Sequence, residues 1–186
     1  MYKDLPVYAF VTQAEFYQWL GAHHDTETAF WLRYYKKHSG RATIKHPEAV
    51  EVALCWGWID GLLNKYDEDS YVVKFTPRRP KSIWSQVNVT KVSQLIEAGL
   101  MQPAGLKHVE AAQADGRWSA AYAGQSTMEM PAEFLELVTA SPIAAAAYAK
   151  LTKAQRYSIA FAITTAKTPA GKQAAIRKHL SKLETS

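Results

Sequence analysis

The chain has 186 residues, 48% of them hydrophobic and 21% charged, and a formal net charge of +5. That length and apolar content suffice for a substantial core, as one domain or as a domain with a helical annex, which excludes a disordered chain. No window nears the ~18 consecutive apolar residues of a membrane span, MYKDLPVYAF has neither the n-region nor the h-region of a signal peptide, and the lone Cys55 excludes an internal disulfide and a cysteine zinc cage. The expected compartment is therefore the cytoplasm.

In chain order, Thr12-Gln13-Ala14-Glu15 is a capping box, and Phe16, Trp19 and Leu20 form one stripe of a helix that Gly21 is expected to end. Thr28 to Lys37 reads as a strand with aromatic bulk on both faces, hence a central strand or one lining a groove. Pro47 suits the first turn of a helix whose early Glu48 and Glu51 complement its dipole, and whose end falls near Trp56-Gly57. Trp58 to Asn64 and Ser70 to Thr76 form a hairpin across an acidic loop, and Pro77 and Pro80 then forbid further pairing. From Asn88 onward the spacing is helical: one helix before Gly99, another between Pro103 and Gly116, and a C-terminal run punctuated by Ser141-Pro142 and Thr168-Pro169, with a capping box at Thr152 to Gln155. The expected architecture is α+β, a small antiparallel three-stranded sheet packed with helices in residues 1–118, a linker over 119–130, and an all-helical subdomain over 131–186.

Unusual chemistry concentrates between Ala53 and Ser85. Arg78, Arg79 and Lys81 form a basic knot that Pro77 and Pro80 hold extended, with Trp58 and Trp84 near in sequence as stacking surfaces. This knot reads either as an anion site or as a clamp in which one Arg pairs with Asp60 and another stacks on Trp. Asp60 is the acid embedded in the aromatic stretch, so it is the nominee for an acid/base role, with an ion pair to Arg33 or Arg78 as the competing role. Arg33, Trp56, Trp58, Asp60, Arg78, Arg79, Lys81 and Trp84 are the candidate ligand-binding residues, and catalytic residues remain unassigned. Cys55, between Leu54 and Trp56, reads as a buried structural thiol. His23-His24-Asp25 lacks metal-ligand spacing and Asp67-Glu68-Asp69 lacks that of a calcium loop, so both read as turns, and no metal or cofactor is expected. From Lys150 on, eight Lys and Arg face only Glu184, a basic tail that reads either as solvated helix surface or as a weak nucleic-acid contact.

EAVEVALCWGWIDG (Glu48 to Gly61), YVVKFTPRRPKSIWS (Tyr71 to Ser85), EAGLMQPAG (Glu97 to Gly105) and ADGRW (Ala114 to Trp118) resemble the bacterial YdeI/OmpD-associated, or bacteriocin-protection, family. The resemblance implies a part in resistance to antimicrobial peptides or bacteriocins and association with a porin; it implies no catalytic residues. The expected function is a non-enzymatic binding protein acting through an aromatic and basic groove, with an anionic small molecule or an acidic protein as partner. The alternatives are an enzyme on an anionic small molecule with Asp60 as acid/base, and weak nucleic-acid binding by the C-terminal helices.

Overall fold

A computed structural model describes residues 1–124 and 126–185, so Gln125, inside the expected linker, and Ser186 lie outside the described residues. The chain divides into two compact units, Met1–Ala121 and Tyr122–Ser186.

The first unit carries β1 (Val7–Tyr8), α1 (Gln13–His23), β2 (Phe30–Tyr35), α2 (His46–Cys55), β3 (Trp58–Lys65), β4 (Ser70–Pro77), α3 (Gln86–Glu97) and α4 (Pro103–Ala114), with a single 3-10 turn at Lys37–Ser39. The sheet has four strands in the order β1-β2-β4-β3. This corrects the expected three-stranded antiparallel sheet. The fourth strand is two residues long and pairs parallel to β2, Val7 with Trp31 and Tyr8 with Leu32, too short for any periodicity to announce it. β2 is an inner strand, as its two aromatic faces require. Among the described residues no strand follows β4.

The capping box at Thr12 starts α1, Glu15 N–H donating to Thr12 Oγ1 at 3.2 Å. The helix does not stop at Gly21 but runs to His23. A Cβ at Gly21 would sit 3.2 Å from Trp56 Cζ2, so this glycine is a packing position under an indole rather than a terminator.

One face of α2 (Ala49, Val52, Ala53) joins Phe16 and Leu20 of α1 and Phe30, Leu32, Tyr34, Val73 and Phe75 of the sheet in a first core. The other side (Val50, Leu54, Cys55) packs with Val92, Leu95, Val109, Ala112 and Trp84 in a second core against α3 and α4. A helix buried on two sides must be apolar nearly all round, and EAVEVALC is. Its end is fixed by Gly57, at φ +74°, where a Cβ would lie 2.7 Å from the Ala104 carbonyl oxygen.

In the second unit α5 (Ala132–Ala140), α6 (Pro142–Ala149), α7 (Lys153–Thr164) and α8 (Pro169–Glu184) surround Phe134, Val138, Ala144, Ile159, Ile163, Ile176 and Leu183. Ser141, Thr152 and Thr168 cap α6, α7 and α8, with Pro142 and Pro169 in first turns where no N–H is missed. Lys172 of α8 is ion-paired with Glu133 of α5.

Among the glycines of the first unit the closest approach is that of α4 to the end of α2: a Cβ at Gly105 would stand 2.3 Å from the Cys55 carbonyl oxygen and 2.7 Å from that of Leu54. Backbone cannot yield as a flexible side chain would. Gly105→Ala is expected to cost about 3 kcal/mol of stability, read as a lower urea midpoint, whereas Gly61→Ala, whose Cβ meets Lys74 O at an ordinary 3.6 Å, changes the midpoint far less.

Candidate functional site

The extended hairpin delivers the basic knot. Trp58 pairs with Pro77 at the end of the β3–β4 ladder, and Arg78 N–H then donates to Gly57 O at 2.8 Å, which seats Arg78 beside the close-packed end of α2. Its side chain turns inward and is 5% exposed. The guanidinium lies 3.7 Å over the Trp84 ring and donates to Ile83 O at 3.0 Å, while Trp84 meets Trp118 edge-on at 4.9 Å. From the far side Arg117 Nη1 donates to Ser82 O at 2.7 Å and Arg117 Nε to the Asp115 carboxylate at 2.8 Å. Two arginines thus hold the carbonyls of consecutive loop residues, Ser82 and Ile83. Arg79 and Lys81 stay on the exposed outside of the same loop.

A carbonyl oxygen satisfies a guanidinium donor without cancelling its charge; Asp115 balances Arg117, and Arg78, Arg79 and Lys81 leave the turn with more basic than acidic side chains. His108 of α4 registers the field. Burial first, then the charges of Arg78, Lys107 and Arg117, hold its imidazole below the usual value. Asp115 is held below the usual carboxylate range by its bond from Arg117, with Lys81 adding to the effect.

The other candidate residues are distributed along the sheet. Arg33 pairs with Asp67 at 2.6 Å, donates to Ser70 Oγ at 3.0 Å and packs on Tyr35 and Tyr66, tying β2 to the acidic hairpin loop. Asp67 also accepts from Ser70 Oγ and Asp69 N–H, so the acidic tip is a self-bonded turn. Asp60 Oδ2 lies 3.2 Å from His46 Nε2 at the start of α2, so the expected pairing of Asp60 with Arg33 or Arg78 is replaced by an imidazole contact. Beside that pair Tyr34 is fully buried, and burial first, then Tyr71 and Asp60, push its phenol above the usual range. Trp58 is 1% exposed and donates to His24 O at 3.2 Å, and Trp84 is 2% exposed, so both rings are packed within the cores. Trp56 is half-buried between Tyr17 and His24. The structure therefore unites Arg78, Arg79, Lys81 and Trp84, and places Arg33, Trp56, Trp58 and Asp60 elsewhere.

Cys55 is buried, its thiol pushed up to about 12 by burial and then by Glu51. It forms part of the wall of an apolar cleft of about 570 Å³ with Tyr17, Val52, Leu95 and Leu100. Among the described residues no three His, Cys, Asp or Glu cluster as a metal site, and no helix is long and apolar enough to cross a membrane.

His108 and Arg117 were not singled out in the sequence. Arg117 stands in ADGRW beside Trp118, but nothing in spacing alone links that motif to a loop 35 residues earlier.

Residues 8–108 match the family described as Domain of unknown function (DUF8412), and residues 127–185 match the family described as Bacteriocin-protection, YdeI or OmpD-Associated. The motifs from Glu48 to Gly105 fall inside the first match, whereas the second covers the C-terminal helices. No curated protein and no solved structure matches the chain.

His108 gives the site a pH signature. Its folded value lies below its unfolded one, so above about pH 6.5 both states are neutral and the group adds nothing; as pH falls through about 6.5 the unfolded chain takes the proton first and stability declines. His108→Gln is expected to flatten part of the fall in thermal midpoint between about pH 7.5 and pH 5.5, and a wild-type slope in the variant would remove His108 from the electropositive turn.

Proposed function

The chain belongs to the DUF8412 family through residues 8–108 and carries a YdeI/OmpD-associated segment at 127–185, and on that premise we propose that it is a binding protein that captures an anionic ligand on the turn of Arg78, Arg79, Lys81, His108 and Arg117. The observation that carries this reading is the pair of arginines bonded to the Ser82 and Ile83 carbonyls, which fixes two guanidinium groups on one loop; Asp115 balances Arg117, and Arg79 and Lys81 supply further positive charge beside Arg78. Rigid, pre-placed guanidinium groups lose little entropy on binding, and exposed Arg79 and Lys81 add attraction from the same loop. The ligand class is a phosphate- or carboxylate-bearing small molecule or an acidic protein segment. The role we infer is in stress or antimicrobial-peptide resistance, in line with the bacteriocin protection named in the description of the C-terminal family, exercised in the cytoplasm.

The basic tail is the weaker candidate for the same chemistry. Lys172 is engaged by Glu133, and the other cations are spread over α7 and α8 rather than gathered on one loop, although Arg156 is held by a ring and two carbonyls much as Arg78 is. A second, enzymatic reading rests on the His46–Asp60 pair, since a carboxylate-held imidazole can pass a proton. Its check is hydrolysis of phosphate and carboxylate esters, lost in both His46→Gln and Asp60→Asn.

The binding reading is tested by titrating phosphate, pyrophosphate and citrate while following tryptophan emission. Arg79→Ala with Lys81→Ala should lower affinity about tenfold at unchanged melting temperature, because both side chains are exposed. Arg78→Ala should lose ~1.5–3 kcal/mol of binding and also destabilise the fold. Neutralising Lys172, Arg177 and Lys178 together should leave affinity unchanged, and binding that follows these three residues and falls steeply with salt would instead support tail-driven nucleic-acid contact.

A further inference from the structure

The sheet leaves one long edge. β1 closes its own side with two residues, but β3 presents eight, Trp58–Lys65, as the outermost strand at the other side. Edges are ordinarily guarded by proline, short length, inward charge or a bulge, because unpaired N–H and C=O groups template further pairing. β3 carries no proline; its guards are one bulge, the charges of Asp60 and Lys65 and the Tyr2 hydroxyl that donates to Lys65 O, and they leave its middle apolar and open, with Leu62 and Leu63 68% and 64% exposed. Two adjacent leucines exposed at a strand edge are more apolar surface than a scattered residue or two explains.

The bulge in β3 decides which side chains share a face. Asp60 stands opposite Phe75, Leu63 opposite Val73 and Lys65 opposite Tyr71, so β3 uses one residue more than β4 between Asp60 and Leu63. Phe75, Val73 and Tyr71 all face the first core. Asp60, Leu63 and Lys65 therefore lie on that same face of the sheet, although five residues separating Asp60 from Lys65 would put them on opposite faces of a regular strand.

We propose that β3 is the pairing edge of a symmetric homodimer, in which two copies join antiparallel about a two-fold axis through Leu63. The sequence is self-complementary in that register. Asp60 comes opposite Lys65 of the second copy, Leu63 opposite its own counterpart on the axis and Asn64 opposite the bulged Gly61 and Leu62, and the symmetry repeats the outer pairs. The two charge pairs lie on one face, as the bulge arranges, and flank the apolar centre. Opposite charges directly across an antiparallel pair stabilise it, and like charges there destabilise it. The bulge falls beside the axis, where it loosens only the middle of the pairing. The occupant is a second copy rather than an unrelated strand because charge order and apolar centre both match under the two-fold. The residues of the cationic turn take no part, so this pairing and the anion site stand or fall separately.

Sedimentation of the full chain across the micromolar range is expected to show a concentration-dependent dimer. Leu62→Lys and Leu63→Lys should each be monomeric at unchanged melting temperature. Asp60→Lys and Lys65→Asp should each weaken the dimer about tenfold by setting like charges opposite one another, and the combined variant should restore it with reversed polarity. Asp60 also holds His46, so a second route avoids it. Gly61→Cys combined with Asn64→Cys should give a covalent dimer under mild oxidation, Asn64→Cys alone should not, and Cys55, being buried, stays out of the reaction. A wild-type chain that sediments as a monomer throughout, a dimer that survives both lysine variants, or no covalent dimer from the double-cysteine variant overturns the proposal.

Discussion

The first unit depends on the approach of one helix to the end of another. Glycine at 105 lets the first turn of α4 settle on the Leu54 and Cys55 carbonyls of α2, and Gln102 N–H donates to Cys55 O at 3.1 Å, so orphan acceptors at the end of a buried helix are covered by backbone. Gly57 completes the joint by leaving α2 at positive φ directly under Ala104 and His108. Two consequences propagate from it. β3 starts in a fixed place, so the hairpin register and the edge strand are set. Gly57 O is also presented to Arg78 N–H, which brings the basic loop back onto α4. The site is thus built by the same contact that joins the two cores.

Much of this architecture is written locally. Capping boxes at Thr12 and Thr152, proline in first turns and acids at the hairpin tip each act within a few residues, and each operates in the structure. The features not legible were those decided at a distance. Gly21 looks like a helix terminator until Trp56, 35 positions later, is found lying against it, and β1 is two residues whose only structure is their pairing to β2. The basic knot was visible as composition, and the stacking of Arg78 on Trp84 was half of the clamp its sequence allowed; the other half, an arginine on Asp60, gives way to His46. Its completion by Arg117 and His108 was not visible, because α4 and the turn after it reach the loop only through the Gly105 joint.

The two basic regions of the chain differ in where their cations sit, one gathering them on a single loop and the other spreading them along helices. On the loop from Pro77 to Ser85, Arg78 ends on a carbonyl oxygen and an indole face, and Arg117 reaches it with one donor on a carbonyl oxygen and another on the Asp115 carboxylate, contacts that lock geometry. On the C-terminal helices Lys172 is matched by a carboxylate, and Arg156 caps α6. Charge on mobile side chains attracts any polyanion through long-range, salt-screened forces; charge on fixed side chains distinguishes one anion shape from another. The depressed imidazole of His108 links the two properties. Burial is the main cause that keeps His108 neutral, and an anion entering the turn would offset the cationic repulsion that adds to it, so binding and proton uptake would favour each other, and affinity would rise as pH falls toward the unperturbed imidazole value.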